Sequence, residues 1–175
     1  MKDPNGRVVI PGFYDGIELD EKTLKILAEV PDDEGKMMND MQFKKPDNVG
    51  KNYQESIQYP SINVRGIESG WVREEVRTIV PSECIAEIDV RLVLESDPIR
   101  LHNLIKSHIE ELGYYVIDRR PTKDERLKHN KIVTFVSSFD YDAFRTDIES
   151  EIGICLVKSL KKTFGIEPVK KRTSG

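Results

Sequence analysis

Residues 84–94 read CIAEIDVRLVL, and no other stretch constrains the fold as tightly. Apolar side chains fall at Cys84, Ala86, Ile88, Val90, Leu92 and Leu94, while Glu87, Asp89 and Arg91 alternate with them. Successive side chains of a strand point to opposite faces, so this pattern demands a sheet with one covered face and one wet face. A second alternating run, Ser61-Ile62-Asn63-Val64-Arg65-Gly66-Ile67, follows Tyr59-Pro60 and is broken by Glu68-Ser69-Gly70. Val76 to Val80 reads as a further short strand, turned by Pro81-Ser82. Tyr114 to Asp118 and Lys131 to Ser138 read as strands separated by a charged loop, Pro121 to Asn130.

Helical punctuation surrounds these strands. Ser96 or Asp97 supplies an N-cap, Pro98 suits the first turn and Gly113 follows the end of a helix whose apolar stripe is Leu101, Leu104, Ile105, Ile109 and Leu112. A last helix is expected from about Asp142 to Phe164, ended by Gly165. Its buried side is Phe144, Ile148, Ile152, Cys155, Leu156 and Leu160, and Ile166 to Lys171 starts a further strand. Nearer the start, Asp3-Pro4-Asn5-Gly6 is a turn before a short strand, Arg7 to Ile10. Asp20 caps a helix over Glu21 to Ala28, with Leu24 and Leu27 on one face. Residues 31–56 read as loop, with one helical turn around Gly35 to Met41. The order of elements predicts an α+β fold, a mostly antiparallel sheet with helices on one face.

Composition narrows the partners. A net charge of −4 in 175 residues provides no basic field to gather nucleic acid. No apolar run approaches the roughly 20 residues that span a bilayer, and MKDPNGRVVIPG has no apolar core of a signal peptide. Cys84 and Cys155 sit in apolar periodic segments and read as reduced core residues of a cytoplasmic protein, a disulfide being the lesser alternative.

The usual signatures of chemistry are missing. His102 and His108 share a helix six residues apart, which points them about 120° from each other, so they do not chelate as an i, i+4 pair would. His129 lies in a loop rich in Lys and Arg. Metal sites need His, Cys or carboxylates converging from several elements, and no spacing here singles out such a set. Neither cysteine has a histidine near it in sequence, and there is no glycine-rich nucleotide loop. Arg119-Arg120 and Lys170-Lys171-Arg172 are short, offset by acids, and read as solvated faces. Arg91, on the wet face of the best strand, has two readings. One is an ion pair with a carboxylate such as Glu87 or Asp89 on a neighbouring register. The other is a guanidinium that grips a ligand carboxylate through its planar fork, with the Thr78 hydroxyl completing the pocket.

The segments MKDPNGRVVIPGFYD, YPSINVRGIESGW, RTIVPSECIAEIDVRLVLESDP and KKTFGIEPVKKRTSG together resemble the M20 metallopeptidases, nearest to the carnosinase-like dipeptidase branch. The resemblance runs over nearly the whole chain in the same order. It implies that residues 1–138 form the inserted lid, or dimerisation domain, without its first strand and helix, and that residues 139–175 return to the catalytic domain. It implies a homodimer in which Thr78, of the T-x-x-P segment, and Arg91, of R-L-V, reach the partner's active site and bind the carboxylate of a dipeptide or peptide substrate. It also implies two zinc or manganese ions in the intact enzyme, with none in this chain, because the family's metal ligands and catalytic glutamate have no counterpart here. Two departures stand out: Val72-Arg73-Glu74-Glu75 replaces a glycine-rich approach to Thr78, and Arg172 to Gly175 has Thr or Ser where relatives often carry Glu. The resulting expectation is part of a metal-dependent dipeptidase, inactive alone. The alternative is a non-catalytic dimerisation or binding module. A self-contained enzyme built on Glu87 and Asp89 finds no support in their spacing.

Overall fold

The structure, a computed structural model, describes residues 1–173. In chain order the elements are α1 (Glu21–Ala28), α2 (Glu34–Asp40), α3 (Tyr53–Ser56), β1 (Ser61–Glu68), β2 (Ile85–Arg91), α4 (Pro98–Glu111), β3 (Tyr115–Ile117), α5 (Lys123–Lys128), β4 (Ile132–Thr134) and α6 (Glu151–Phe164). The architecture is α+β, as the element order predicts. Its main pairing is the antiparallel ribbon β1–β2, in register from Ser61↔Arg91 to Glu68↔Ile85 with an irregularity between Val64 and Gly66. A short second pairing, β3 with β4, is parallel.

The core forms where α4 crosses the open end of the ribbon. Asp97 caps α4 by accepting from the Ile99 and Arg100 amides. Leu101, Ile105 and Ile109, spaced by four, then meet Val8, Ile10, Phe13 and Ile62. Val90, the register partner of Ile62, and Leu92 pack beside them, so the apolar face of β2 does turn inward at this end. The N-terminal segment belongs to this core although it is no strand. The expected strand Arg7 to Ile10 is reduced to one bridge, Lys2↔Val8, because the chain turns again at Gly12, whose φ of 77° suits glycine. Arg100 ties that turn to α4 by donating to the Gly12 and Asp15 carbonyls at 2.6 and 3.0 Å.

Away from α4 the expectations need correction. Val76 to Val80 forms no strand: no neighbouring strand is there to pair with it, and Val80 is 91% exposed. The two later strands are three residues each. Between them Pro121 to Asn130 is not all loop. Thr122 and Glu125 form a reciprocal capping box that starts α5. The last helix begins at Glu151, not Asp142, because Ser150 caps it by accepting from the Gly153 amide. Gly165, at φ 72°, ends it as expected. Its apolar side is not buried. Phe144, Ile152, Leu156 and Leu160 are exposed, and so are Cys84 and Cys155, which are free thiols rather than core residues. Ile166 to Lys171 forms no strand. The expected turn at Arg172 to Gly175 falls partly on residues 174–175, outside the described residues.

Candidate functional site

Arg91 is the last residue of β2 and lies opposite Ser61 at the open end of the ribbon. Its neighbour Val90 faces the core, so Arg91 points to the outer face with Asp89, two residues before it on the same side. Arg91 Nε donates to Asp89 Oδ2 at 2.8 Å. The ion pair anticipated for Arg91 therefore exists, along its own strand rather than across to the next. Among the described residues the pair uses Nε, and the Nη1/Nη2 fork donates to no protein acceptor. That fork is the part of a guanidinium that takes a carboxylate in two-pronged fashion.

The outer face around Arg91 borders a cavity of about 620 Å³. Lys2, Asn63, Tyr59, Met37 and Met41 share its lining with Arg91. Lys2 crosses its edge, donating to Asp47 at 2.7 Å and to Asn63 Oδ1 at 3.0 Å. The helical turn expected around Gly35 to Met41 is α2, but the rest of residues 31–56 read as loop, so α3 and the wall as a whole were missed. The caps that build α2 and α3 were visible: Asp33 accepts from the Lys36 amide and Asn52 from the Glu55 amide, each three residues on.

Thr78 lies elsewhere. It sits at a bend in the excursion between β1 and β2, an exposed loop closed by Ser69 Oγ donating to the Glu83 carbonyl at 3.0 Å. Arg77 lies 5.3 Å above the Trp71 ring, and Arg73 takes a positive φ of 54° to start a 3₁₀ turn through Glu75. Six steps of strand separate Ile85 from Arg91, about 20 Å of ribbon at 3.3 Å per residue. The structure does not bring Thr78 and Arg91 together within one chain.

The histidines do not converge. His102 Nδ1 shares a hydrogen bond with Ser137 Oγ at 2.8 Å, His108 is half-buried on α4, and His129 stacks on Tyr115 with ring centroids 3.9 Å apart. Among the described residues no group of three or more His, Cys, Asp or Glu side chains is placed to hold a metal ion. The donor set needed for a metal-activated water is not met by these residues, and no step of that kind follows from them. Among the described residues no helix is long and apolar enough to cross a membrane.

A family model described as the peptidase dimerisation domain matches residues 21–115. The chain is 21% identical over 171 residues to the Beta-Ala-His dipeptidase of Homo sapiens, covering 96% of this chain and 32% of that protein. It is 25% identical over 113 residues to the Mus musculus Beta-Ala-His dipeptidase, covering 63% of this chain and 23% of that protein. The chain thus spans a third or less of these relatives. Among solved structures, an M20 family metallo-carboxypeptidase from Sulfolobus solfataricus superposes with a TM-score of 0.69 at 28% identity, over 99% of this chain and 37% of the other. Human carnosine dipeptidase 1 superposes with a TM-score of 0.72 at 19% identity, over 100% of this chain and 36% of the other, a likeness of fold.

Proposed function

Because the chain belongs to the peptidase dimerisation domain family of the M20 peptidases, we propose that it is the lid portion of a metal-dependent dipeptidase and works as a homodimer. Residues 1–138 are the lid and residues 139–175 belong to the catalytic domain. The lid holds two copies together and supplies Arg91 and Thr78 for the carboxylate of a dipeptide or peptide, the two residues coming from different chains because one chain holds them apart. Zinc or manganese and the catalytic base are contributed from outside these 175 residues, so the segment does not hydrolyse peptides alone. The enzyme acts in the cytoplasm, in keeping with two free thiols.

One observation carries this reading: Arg91 stands on the wet face of the ribbon, beside a cavity, and among the described residues its terminal fork donates to no protein acceptor. An arginine there is worth little to stability, since its ion pair to Asp89 is exposed. It is well suited to a planar anion. Thr78 enters only through the dimer. Residues at opposite ends of one ribbon meet one ligand only if two chains contribute to its site.

The test is Arg91→Lys in the intact enzyme. Lysine keeps the charge and loses the two-pronged contact, so affinity for carboxylate-bearing substrate falls at least about tenfold while the fold is kept. Unchanged affinity removes Arg91 from the site. In parallel, this chain supplied with zinc or manganese is assayed on a mixed dipeptide panel. No turnover is expected. Metal-dependent turnover that survives repurification would mean that the segment builds its own active centre.

A further inference from the structure

We propose that the cavity beside Arg91 is a pocket for the C-terminal side chain of the peptide, and that it selects large apolar residues such as Leu, Met and Phe. This rests on Arg91 being the carboxylate receptor, and adds what the neighbouring wall recognises. A C-terminal carboxylate held by the Arg91 fork carries its own side chain on the adjacent Cα. Whatever lines the space next to the fork therefore reads that side chain. The cavity, about 620 Å³, is of the size that holds small ligands, about 300–1,000 Å³.

The lining has a stiff part and a soft part. Tyr59 belongs to the stiff part: its ring meets that of Tyr14 edge-on at 5.8 Å, and Tyr14 is fixed in turn by accepting from the Val8 amide at 2.8 Å. The soft part is thioether. Three of the chain's four methionines, Met37, Met38 and Met41, line the cavity. They come from α2 and the residue that ends it, and α2 buries none of its residues. Met37 and Met41 are one helical turn apart and so share a face. Had that face served only to cover the ribbon, its side chains would be buried, yet Met41 is 67% exposed. Unbranched thioethers re-pack around varied apolar shapes. Such a wall suits a class of side chains rather than a single one.

Charge decides what the apolar body must be attached to. The lining holds Lys2, Lys45, Lys51 and Arg91 against Glu34 and Asp47. Both carboxylates are engaged: Glu34 accepts from the Tyr53 amide at 2.8 Å, and Asp47 accepts from Lys2 at 2.7 Å. Asp89 meets Arg91 only at Nε. The balance of the cavity is thus positive. A purely apolar occupant would cover these cations without pairing them, which is costly. An apolar body that ends in a carboxylate satisfies the thioether wall and the Arg91 fork together. Full burial of a Leu or Phe side chain shifts a binding equilibrium by about ten- to a hundredfold. The partly exposed methionine wall puts the gain over glycine here at the lower end, about tenfold.

The methionines are their own reporters, with Met1, which does not line the cavity, as the internal control. This chain, isotope-labelled at the methionine methyls, is titrated with N-acetyl-L-phenylalanine, with its amide and with N-acetylglycine, and followed by nuclear magnetic resonance. N-acetylphenylalanine moves the Met37, Met38 and Met41 resonances and leaves Met1 in place, with a dissociation constant of about 1 mM, as suits a ligand of this size. The amide and N-acetylglycine each bind about tenfold more weakly or worse, and Arg91→Gln weakens the acid to the level of the amide. If N-acetylglycine binds as tightly as N-acetylphenylalanine, the side-chain pocket is overturned and Arg91 remains a carboxylate receptor. If acid and amide bind alike, Arg91 plays no part, and both the pocket as proposed and the carboxylate reading fail. Should Arg91→Gln not fold, that comparison of acid with amide on the unmodified chain decides alone. Methyl resonances that stay in place at about 20 mM acid, well above the expected dissociation constant, overturn the pocket outright. Arg91→Lys in the intact enzyme then tests the carboxylate reading by itself.

Discussion

Helices α4 and α6 are each 14 residues long, each capped by a side-chain oxygen at the N-terminus and each followed by glycine in a left-handed conformation. Both carry an apolar stripe. On α4 the stripe disappears: Leu101 is 1% exposed and Ile105 5%. On α6 it stays in view, with Ile152 at 66% and Leu156 at 56%. The same sequence grammar therefore builds two helices with opposite fates. The pattern states that a face requires cover. Whether this chain supplies the cover is a question of tertiary partners, and only α4 has them in the N-terminal segment and the end of the ribbon.

The largest effect separating the two helices is a matched pair of truncations. Leu101→Ala opens a hole in a packed site and lowers unfolding free energy by about 2–5 kcal/mol. Leu156→Ala removes an exposed side chain and changes it by about 0.5 kcal/mol or less. Urea unfolding of the two variants measures both. A large loss at Leu156 would break the comparison, because it would mean that α6 is covered in solution, and repeating the measurement at several protein concentrations would show whether a second copy is the cover.

Caps give the next contrast. Asp97→Ala removes the acceptor for the Ile99 and Arg100 amides, which costs about 1 kcal/mol of global stability because α4 holds the core. Ser150→Ala removes the corresponding cap of α6. It lowers helix content while leaving the unfolding midpoint in place, since α6 frays without taking the core with it. Circular dichroism together with the urea midpoint distinguishes the two responses. Thiol chemistry sharpens the same point: Cys155 and Cys84 both react with a soluble maleimide in the native protein, at rates near that of the unfolded chain. Slow reaction at either one marks a surface that is covered in solution.

What the sequence made legible follows the same line. The α4 helix with its cap, stripe and terminal glycine, the ribbon strands and the outward facing of Arg91 were all readable, because each depends on local pattern or on the two-residue period of a strand. Burial of Cys84 and Cys155 was not readable. Their positions on apolar faces are real, but a face is buried only by a neighbour, and alternation names no neighbour. The strand expected at Val76 to Val80 failed for that reason too: β-branched residues fit a sheet only where a second strand offers hydrogen bonds. The extra nine residues assigned to α6 came from counting Phe144 and Ile148 into its stripe when Ser150 was the better cap. As for the site, the type and facing of Arg91 were legible. Its separation from Thr78 was not, since the length of the ribbon depends on where pairing stops.

The smallest effect concerns α5, a helix that, like α6, buries no residue, yet is held by charge and capping alone. Glu125 accepts from Arg119 Nη2 at 2.7 Å and Nη1 at 2.9 Å, and from the Thr122 amide at 2.8 Å. The Arg119 guanidinium first, and the Thr122 amide after it, hold the Glu125 carboxyl well below the ordinary glutamate range. A carboxyl whose folded pKa lies below its unfolded value of about 4.3 contributes stability that is full above that value. The contribution is lost as pH falls toward the depressed folded value. Helix α5 should therefore keep its capping box through pH 4, where exposed glutamates are already half protonated. Arg119→Ala removes the main cause, so the Glu125 titration moves up toward the ordinary range and the box opens at correspondingly higher pH. Carbon chemical shifts of the Glu125 carboxyl, followed by nuclear magnetic resonance from pH 7 down, read this directly. An ordinary titration of Glu125 in the unmodified chain would show that charge does not hold α5.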